Sequence, residues 1–483
     1  MQLVRKSQRA QTRPQRVAVI GAGSGGVNIA KHLLQAGHEV TVFEAGSYIG
    51  GLWKYENDNG QSQAYLHLCI ISPRNKTKFP DFEFDESTPR FPSHWDMYRY
   101  LTAYADHFGV TERIRFRTPV SRVEPAFDRA SEPPRWKVSF RSKDSDAAID
   151  SVEYFDHVVV ATGHLNQPNH SAFLRDSFDG EYLHASQYRT AKPFVGKRVC
   201  VVGTGNSGVD VASDTCGVAD RVVLVARSGV RIQPKVVFGI AYPDLAISLR
   251  KPYIPAWFRN RLLSGLMYLA HGDQDRLGFT RPIARTHPTS SESIVSHIEF
   301  GRVVVKPGIK SISGKTVMFE DGSEEDFDII VAATGYKVHL PFIDPDVVPV
   351  IGNHVDLYRR MFPVQWPGLY FLGMLNPLLA YSQVFEAQSR TIVQAVNGDL
   401  RLPSKDEMRA EIDADQKLAA EIYTDSPRHE LEEPDFNYPY TMAAFRREAA
   451  IRARHKGRIP RYLNSKLGQR VYGKMVGIDS TVT

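Results

Sequence analysis

Residues 199–210 read VCVVGTGNSGVD. An apolar run enters a glycine triplet, Gly203, Gly205 and Gly208, and leaves into an apolar, helix-like stretch. The same device occurs earlier in VAVIGAGSGGVN, residues 17–28, with Gly21, Gly23 and Gly26. In G-x-G-x-x-G the first glycine permits a tight strand-to-helix turn. The second lets backbone amides approach a pyrophosphate, and the third lets the helix pack on the strand. The phosphates then lie over unpaired N–H groups at the positive end of the helix. Glycine-rich turns are common, so the triplet alone is a weak signal. Here each follows a strand-type run, Arg16–Ile20 and Arg198–Val202, which is the context the motif requires.

The residues that follow separate the two turns. After the first, HEVTVFEAG supplies a second strand ending in Glu44, 23 residues beyond Gly21. A carboxylate there accepts hydrogen bonds from ribose hydroxyls and repels a 2′-phosphate. After the second, DRVVLVARSGV supplies the matching strand, read as ending in Arg227, 24 residues beyond Gly203, with Ser228 beside it as a further donor. A guanidinium is a planar fork suited to phosphate, so this site selects NADPH over NADH. The first site reads as FAD or NAD and the second as NADPH. Together they describe a flavoprotein reduced by NADPH.

Composition fits a large globular enzyme. The 483 residues correspond to about three units at roughly 150 per domain, with ordinary hydrophobic and charged fractions and ample chain for a core. A net charge of +6 and a pI near 9.0 are mild. They suit anionic cofactors, and no zinc-finger spacing, RNP motif or dense basic block argues for nucleic acid. No metal site is assigned. The three cysteines, Cys69, Cys200 and Cys216, form no CxxC, which argues against a disulfide-reductase relative and for a reducing compartment. Cys200 lies inside a strand and is expected to be packing. The opening MQLVRKSQRAQTRPQR has no apolar core and is read as a flexible tail rather than a secretory or transit segment. The longest apolar stretch, PKVVFGIAYPDLAISL, is broken by Pro243 and Asp244 and is too short to span a bilayer. A cytoplasmic protein with no membrane partner is expected, and a homodimer is left open.

Two further strings mark boundaries. YFDHVVVATGHLNQPN carries Ala161, Thr162 and Gly163 after an apolar strand, and DFDIIVAATGYKVHLPF carries Ala333, Thr334 and Gly335 after another. The whole second fingerprint lies between them. The economical reading is an α/β fold with two Rossmann-like dinucleotide-binding domains, the NADPH domain inserted into the FAD domain. The expected divisions are a flexible basic tail at 1–15, FAD domain at 16–168, NADPH domain at 169–330, FAD domain again at 331–450, and a C-terminal extension at 451–483. RWKVSF and KTVMFEDGSEEDFD read as meander strands, the second with an Asp321–Gly322 turn, and SKDEMRAEIDADQKLAAEIY as a surface helix.

FDGEYLHASQY then adds a signature. Phe178, Gly180, His184 and Tyr188 form F-x-G-x-x-x-H-x-x-x-Y just before the second glycine turn. This resembles the fingerprint of the flavin-containing monooxygenases. The related Baeyer–Villiger string ends in tryptophan followed by Pro or Asp, whereas here Tyr188 precedes Arg189. The resemblance therefore points to the N/S-oxygenating branch, in its soluble, bacterial-like type. GGLWK (50–54), FPDFEF (79–84), QPKVVFG (233–239), LYFLGMLNP (369–377) and EAQSR (386–390) follow the family order over residues 16–405.

The resemblance implies that NADPH reduces FAD and that the reduced flavin and O2 form a C4a-hydroperoxide. One oxygen atom passes to a small-molecule soft nucleophile, an amine nitrogen or sulfur, and the other leaves as water. The protein's task is to exclude water and hold NADP. By position, Gly21, Gly23, Ser24, Gly25 and Gly26 would hold the FAD pyrophosphate, Glu44 the ribose, and Leu52 and Trp53 the flavin side, although Trp53 reads equally as a core aromatic. Gly203, Gly205, Asn206, Ser207 and Gly208 would hold the NADPH pyrophosphate, with Arg227 and Ser228 on its 2′-phosphate. Asn376 would lie near the flavin ring. No catalytic residue is assigned; Ile71, Ser72 and Asn376 would be neighbours of the flavin or NADP. His184, at a domain linker, is expected to fix a loop by hydrogen bonds rather than to act as an acid or base.

One position departs from the pattern. Where the family has an asparagine that helps position NADP and the peroxide, LHLCIISPRN places Ile71. Isoleucine donates no hydrogen bond, so the peroxyflavin would be either shorter-lived or supported by Ser72 or Asn75. Alternatively the register is offset by a residue or two. Baeyer–Villiger oxygenation, an NADPH oxidase releasing hydrogen peroxide, and a redox-sensing nucleotide binder without turnover remain the alternatives.

Overall fold

The computed structural model describes residues 13–127, 135–143, 150–249, 254–378, 380–424, 429–432, 438–455, 463, 465–466 and 469–470. Most of the expected basic tail and most of the extension at 451–483 lie outside them. The elements that carry the two nucleotide-type units are, in chain order, β1 (Arg16–Ile20), α1 (Ser24–Gln35), β2 (Glu39–Phe43), β3 (Ile114–Arg115), β4 (His157–Val160), β5 (Glu181–His184), β6 (Arg198–Val202), α2 (Asn206–Thr215), β7 (Arg221–Val225), β8 (Val304–Lys306), β9 (Ile329–Ala332), β10 (Leu369–Phe371) and α3 (Tyr381–Val396).

They form two five-stranded sheets of the same plan. One is ordered β10-β4-β1-β2-β3 and the other β8-β7-β6-β9-β5, and every pairing in both is parallel. The first sheet takes strands from both ends of the chain, and the second lies wholly between them. Strands covered on both faces read as unbroken apolar runs rather than alternating ones. Val17 and Val19 of β1 enter a core with α1 and α3, while Ala18 and Ile20 enter the opposite one. In β6, Val199 and Val201 face one core and the buried Cys200 the other, where it packs against Val223 and Phe319.

A three-stranded antiparallel meander covers the second face of each sheet. The first is Val120–Ala126, Arg135–Phe140 and Ser151–Phe155; the second is Ile309–Ser313, Thr316–Phe319 and Glu324–Asp326. In the second, Gly322 takes a φ of +82° at the expected turn. PKVVFGIAYPDLAISL becomes a short hairpin, Val236–Val237 with Ile240–Ala241, followed by a helix, Tyr242–Ser248, with Pro243 in its first turn. The helix Lys405–Ile422 starts from a capping box, Ser404 with Glu407, and buries only Met408, Ile412 and Ala419.

The glycines are set by one close approach, made twice. Gly21 (φ +102°) lies against the carbonyl of Ala161, which a Cβ would reach at 2.8 Å; Gly203 (φ +117°) lies against that of Ala333, at 2.6 Å. A Cβ on Gly26 or Gly208 would fall 1.9 Å from the carbonyl oxygen of Gly21 or Gly203 respectively. Each Ala-Thr-Gly string therefore closes the glycine turn of its own sheet. The middle glycines differ: a Cβ on Gly23 meets only Gly51 Cα at 3.7 Å, and one on Gly205 meets nothing within 4 Å.

The two crossings between the sheets run side by side, Gln167–Pro168 pairing antiparallel with Tyr336–Lys337. His184 ends β5 there, fully buried. Its Nδ1 accepts from the Ser186 amide at 3.1 Å, and Nε2–H donates to the Gly335 carbonyl at 3.0 Å. Burial pushes its pKa down to about 4, so the ring is neutral near pH 7 and serves as a clasp between the crossings.

Gly208→Ala should destabilise the protein by at least the ~1–3 kcal/mol of an overpacked site, because backbone must move. Gly205→Ala should leave the thermal midpoint close to wild type. Thermal unfolding of the two variants side by side checks the contrast.

Candidate functional site

One cavity of about 1070 Å³ reaches both glycine turns. Gly21, Gly23, Ser24 and Gly25 line one end, and Asn206 and Ser207 line another. The helices that start there, α1 and α2, have Gly23 and Gly205 as N-caps and no side-chain cap. Their first N–H groups are thus left for a ligand, which is the donor set a pyrophosphate requires. The open space over both middle glycines fits the same group.

Glu44 lies at the first end and is 4% exposed. Its carboxylate accepts from the backbone N–H of Ala22 at 2.8 Å and of Gly46 at 2.9 Å. Burial raises its pKa and those two N–H groups oppose the rise. The free lone pairs are what a ribose diol needs. Leu52 and Trp53 both line the cavity; Leu52 is exposed, while Trp53 also packs on the first core, so its two readings coexist.

Beyond them, Ile71 and Ser72 line the wall. The Ser72 hydroxyl is shared with Thr77 Oγ1 at 2.9 Å. Asn75 does not line this cavity and is exposed, so its expected substitution for the missing asparagine has no support in the geometry. Arg227 and Ser228 follow the carboxyl end of β7, outside the cavity and exposed. Among the described residues Arg227 makes no hydrogen bond or ion pair, which leaves its fork available to a phosphate.

Asn376 differs from expectation. Its side chain is not part of the cavity wall. Nδ2 donates to Glu432 Oε1 at 2.9 Å, and Oδ1 accepts from the Tyr381 hydroxyl at 3.2 Å. The amide stands behind two wall residues, Tyr381 and His287, because a buried carboxylate claims it.

Several wall residues escaped the sequence reading. His164 directly follows the first Ala-Thr-Gly string, which was the available signal. It is 3% exposed, and its Nδ1 lies 3.1 Å from the Gly373 carbonyl. Asp210, the last residue of the opening stretch, is bound by the Tyr65 hydroxyl across the cleft, and burial raises its pKa. Asp214, one turn on, is bound by the Tyr188 hydroxyl. Only the fold brings Tyr65 and Asp210 together.

Two parallel sheets with paired glycine turns on one cleft define a protein built to hold two dinucleotides. A model of the family described as flavin-binding monooxygenase-like matches residues 14–450. Flavin-containing monooxygenase 5 of Rattus norvegicus is 32% identical over 435 residues, 86% of this chain and 80% of that protein. The structure of S-allyl-L-cysteine S-oxygenase from Allium sativum superposes with a TM-score of 0.68 at 24% identity, over 97% of this chain and 93% of that one. Cyclohexanone monooxygenase from Rhodococcus sp. Phi1 gives 0.65 at 18% identity, over 91% of this chain and 98% of that one. These two structures bear on the fold. The chain belongs to the flavin-binding monooxygenase-like family. It is an NADPH-dependent flavin monooxygenase that uses FAD. Among the described residues no helix is long and apolar enough to cross a membrane.

Arg227→Ala should raise the KM for NADPH about ten- to hundred-fold, the loss of a charge-assisted contact of roughly 1.5–3 kcal/mol, and scarcely change that for NADH. Steady-state kinetics with both nucleotides tests this; equal losses would assign the arginine to folding.

Proposed function

We propose that this enzyme belongs to the N/S-oxygenating branch and transfers one oxygen atom to an amine nitrogen or a sulfur. In this reading residues 16–168 and 331–450 form the FAD unit and 169–330 the NADPH unit. Gly21, Gly23, Ser24, Gly25 and Gly26 hold the FAD pyrophosphate, with Glu44 on its ribose and Leu52 and Trp53 toward the flavin. Gly203, Gly205, Asn206, Ser207 and Gly208 hold that of NADPH, with Arg227 and Ser228 on the 2′-phosphate. The observation that carries this is the single cavity touching both turns. Bound there, FAD supplies the two-electron chemistry that links NADPH oxidation to O2 activation. The chain's own residues hold the two nucleotides, keep water out and leave room for a small substrate.

The acceptor class draws support from relatives. One is named for forming the N-oxide of dimethylaniline and another for S-oxygenating S-allyl-L-cysteine. Tyr188, 1% exposed, supports the same branch: its hydroxyl has a partner in Asp214, which an indole N–H would have to reach instead. Three free cysteines support a reducing, cytoplasmic setting.

A second reading, partial oxidase activity, is favoured by Ile71, which presents only hydrocarbon to the cavity. Thioanisole and trimethylamine incubated with the enzyme, NADPH and ¹⁸O2 should each yield product carrying one labelled oxygen; NADPH consumed with only hydrogen peroxide formed would favour the oxidase. Ile71→Asn should cut peroxide release per NADPH roughly two- to twelve-fold, the worth of one hydrogen bond of about 0.5–1.5 kcal/mol. Flavin content must be measured alongside, since an unsatisfied buried amide would destabilise the site. Unchanged release from a fully flavinated variant would contradict the role given to this position.

A further inference from the structure

Oxygenation of a substrate X follows X + O2 + NADPH + H⁺ → XO + NADP⁺ + H2O. Two electrons come from NADPH, and the water carries the hydride hydrogen and one proton. A cleft that excludes water needs a group of its own to deliver that proton. We propose that His287 is the proton donor, oriented by Glu432 as a positioning residue. This rests on the reading that nucleotides and substrate share the cavity.

His287 lines the cavity with a side chain 29% exposed. Its Nδ1 lies 3.0 Å from Glu432 Oε2. Glu432 itself is 2% exposed, and its other oxygen accepts from Asn376 Nδ2. Asn376 Nδ2 is also 3.0 Å from Nδ1, so the amide and the carboxylate compete to set the ring. An ionised carboxylate is the stronger partner and draws a hydrogen onto Nδ1. The form that donates is the imidazolium: Nδ1–H stays on the carboxylate, and the second proton, on Nε2, has no partner among the described residues and is the one transferred, leaving the neutral Nδ1–H ring.

The ring is held from both sides of the cleft. Thr289 Oγ1 donates to the Thr204 carbonyl at 2.9 Å, and Asn206 Oδ1 accepts from the Ser290 amide at 3.0 Å, which ties the His287 segment to the second glycine turn. On the other side the Asn376 amide donates to the Leu431 carbonyl at 2.7 Å, fixing the Glu432 segment just beyond β10.

Among the described residues, the charged and titratable groups tied to this cluster include Glu432 on the ring, Tyr381, whose hydroxyl donates to Asn376, and Arg285 on the same segment as His287, whose guanidinium lies 5.9 Å from the Tyr423 ring centroid. The other acid–base candidates of the cavity are worse placed. His164 is nearly buried against the Gly373 carbonyl and Tyr381, Asp210 is bound by Tyr65, and His339 is exposed. In the step, the Nε2–H bond breaks and an O–H bond forms on the oxygen that leaves as water. The electron pair stays on Nε2, and solvent restores the proton between turnovers.

Thioanisole oxygenation by FAD-loaded enzyme, followed from neutral into alkaline pH, tests this. The wild-type rate should fall as the pH rises, while His287→Gln should be slower by about 10²-fold and lose that dependence. NADP⁺ affinity by calorimetry and flavin content should match wild type. NMR of the holoenzyme should show a downfield imidazole Nδ1–H signal that disappears in Glu432→Gln. A His287→Gln enzyme with the wild-type pH profile, or one that loses NADP⁺ affinity along with rate, overturns the proposal and leaves the pair as a strut. An absent Nδ1–H signal in wild type overturns it as well. Wild-type protein that forms no sulfoxide overturns the oxygenation reading, and this inference with it.

Discussion

The contact on which the molecule depends is a glycine backbone pressed against an alanine carbonyl, made once in each sheet. Gly21 on Ala161 and Gly203 on Ala333 bring the central strand of each sheet so close to its neighbour that no side chain fits between their ends. Both glycines adopt positive φ, where other residues are strained. Each turn then aims a helix N-terminus over open space. Had either approach been wider, an ordinary residue would serve, but the first N–H groups of the helix would lie deeper in protein and out of a phosphate's reach.

Duplicating that contact has a consequence for the whole architecture. The chain leaves one sheet after Ala161 and returns after Ala333, so the strings that close the glycine turns also begin the crossings. Pairing of Gln167–Pro168 with Tyr336–Lys337, and the neutral His184 between them, keeps the crossings in register. The two turns consequently open on the same cavity. Side chains far apart in the chain also pair at its wall: Tyr65 with Asp210, and His287 with Glu432 behind it.

Much of this was legible in the chain because its causes are local. Glycine spacing, the unbroken apolar runs of β1, β4, β6 and β9, the Asp321–Gly322 turn and the Ser404 capping box are each set within a few residues. The placement of Glu44 and Arg227 just beyond the second strand of each unit was legible for a related reason, since a strand–helix–strand unit has a nearly fixed length. What could not be read depends on contacts far apart in sequence. Asn376 was expected near the flavin ring, but what holds its amide is Glu432, 56 residues later and itself unremarkable in the chain. His287, Tyr65 and Asp210 carry no motif; their proximity follows only from how the two units meet. Ile71 stood out as a substitution within a pattern, and the fold sets it on the wall where that substitution has chemical meaning.

The central claim is that two glycine turns present two different nucleotides to one cavity. A crystal structure of the enzyme with FAD and NADP⁺ tests it most directly. The expected result is FAD pyrophosphate over Gly21–Gly26, NADP⁺ pyrophosphate over Gly203–Gly208 with Arg227 on the 2′-phosphate, and the nicotinamide and flavin rings meeting beside Ile71. NADP⁺ bound away from the second turn, or its nicotinamide lying outside the shared cavity, would contradict it.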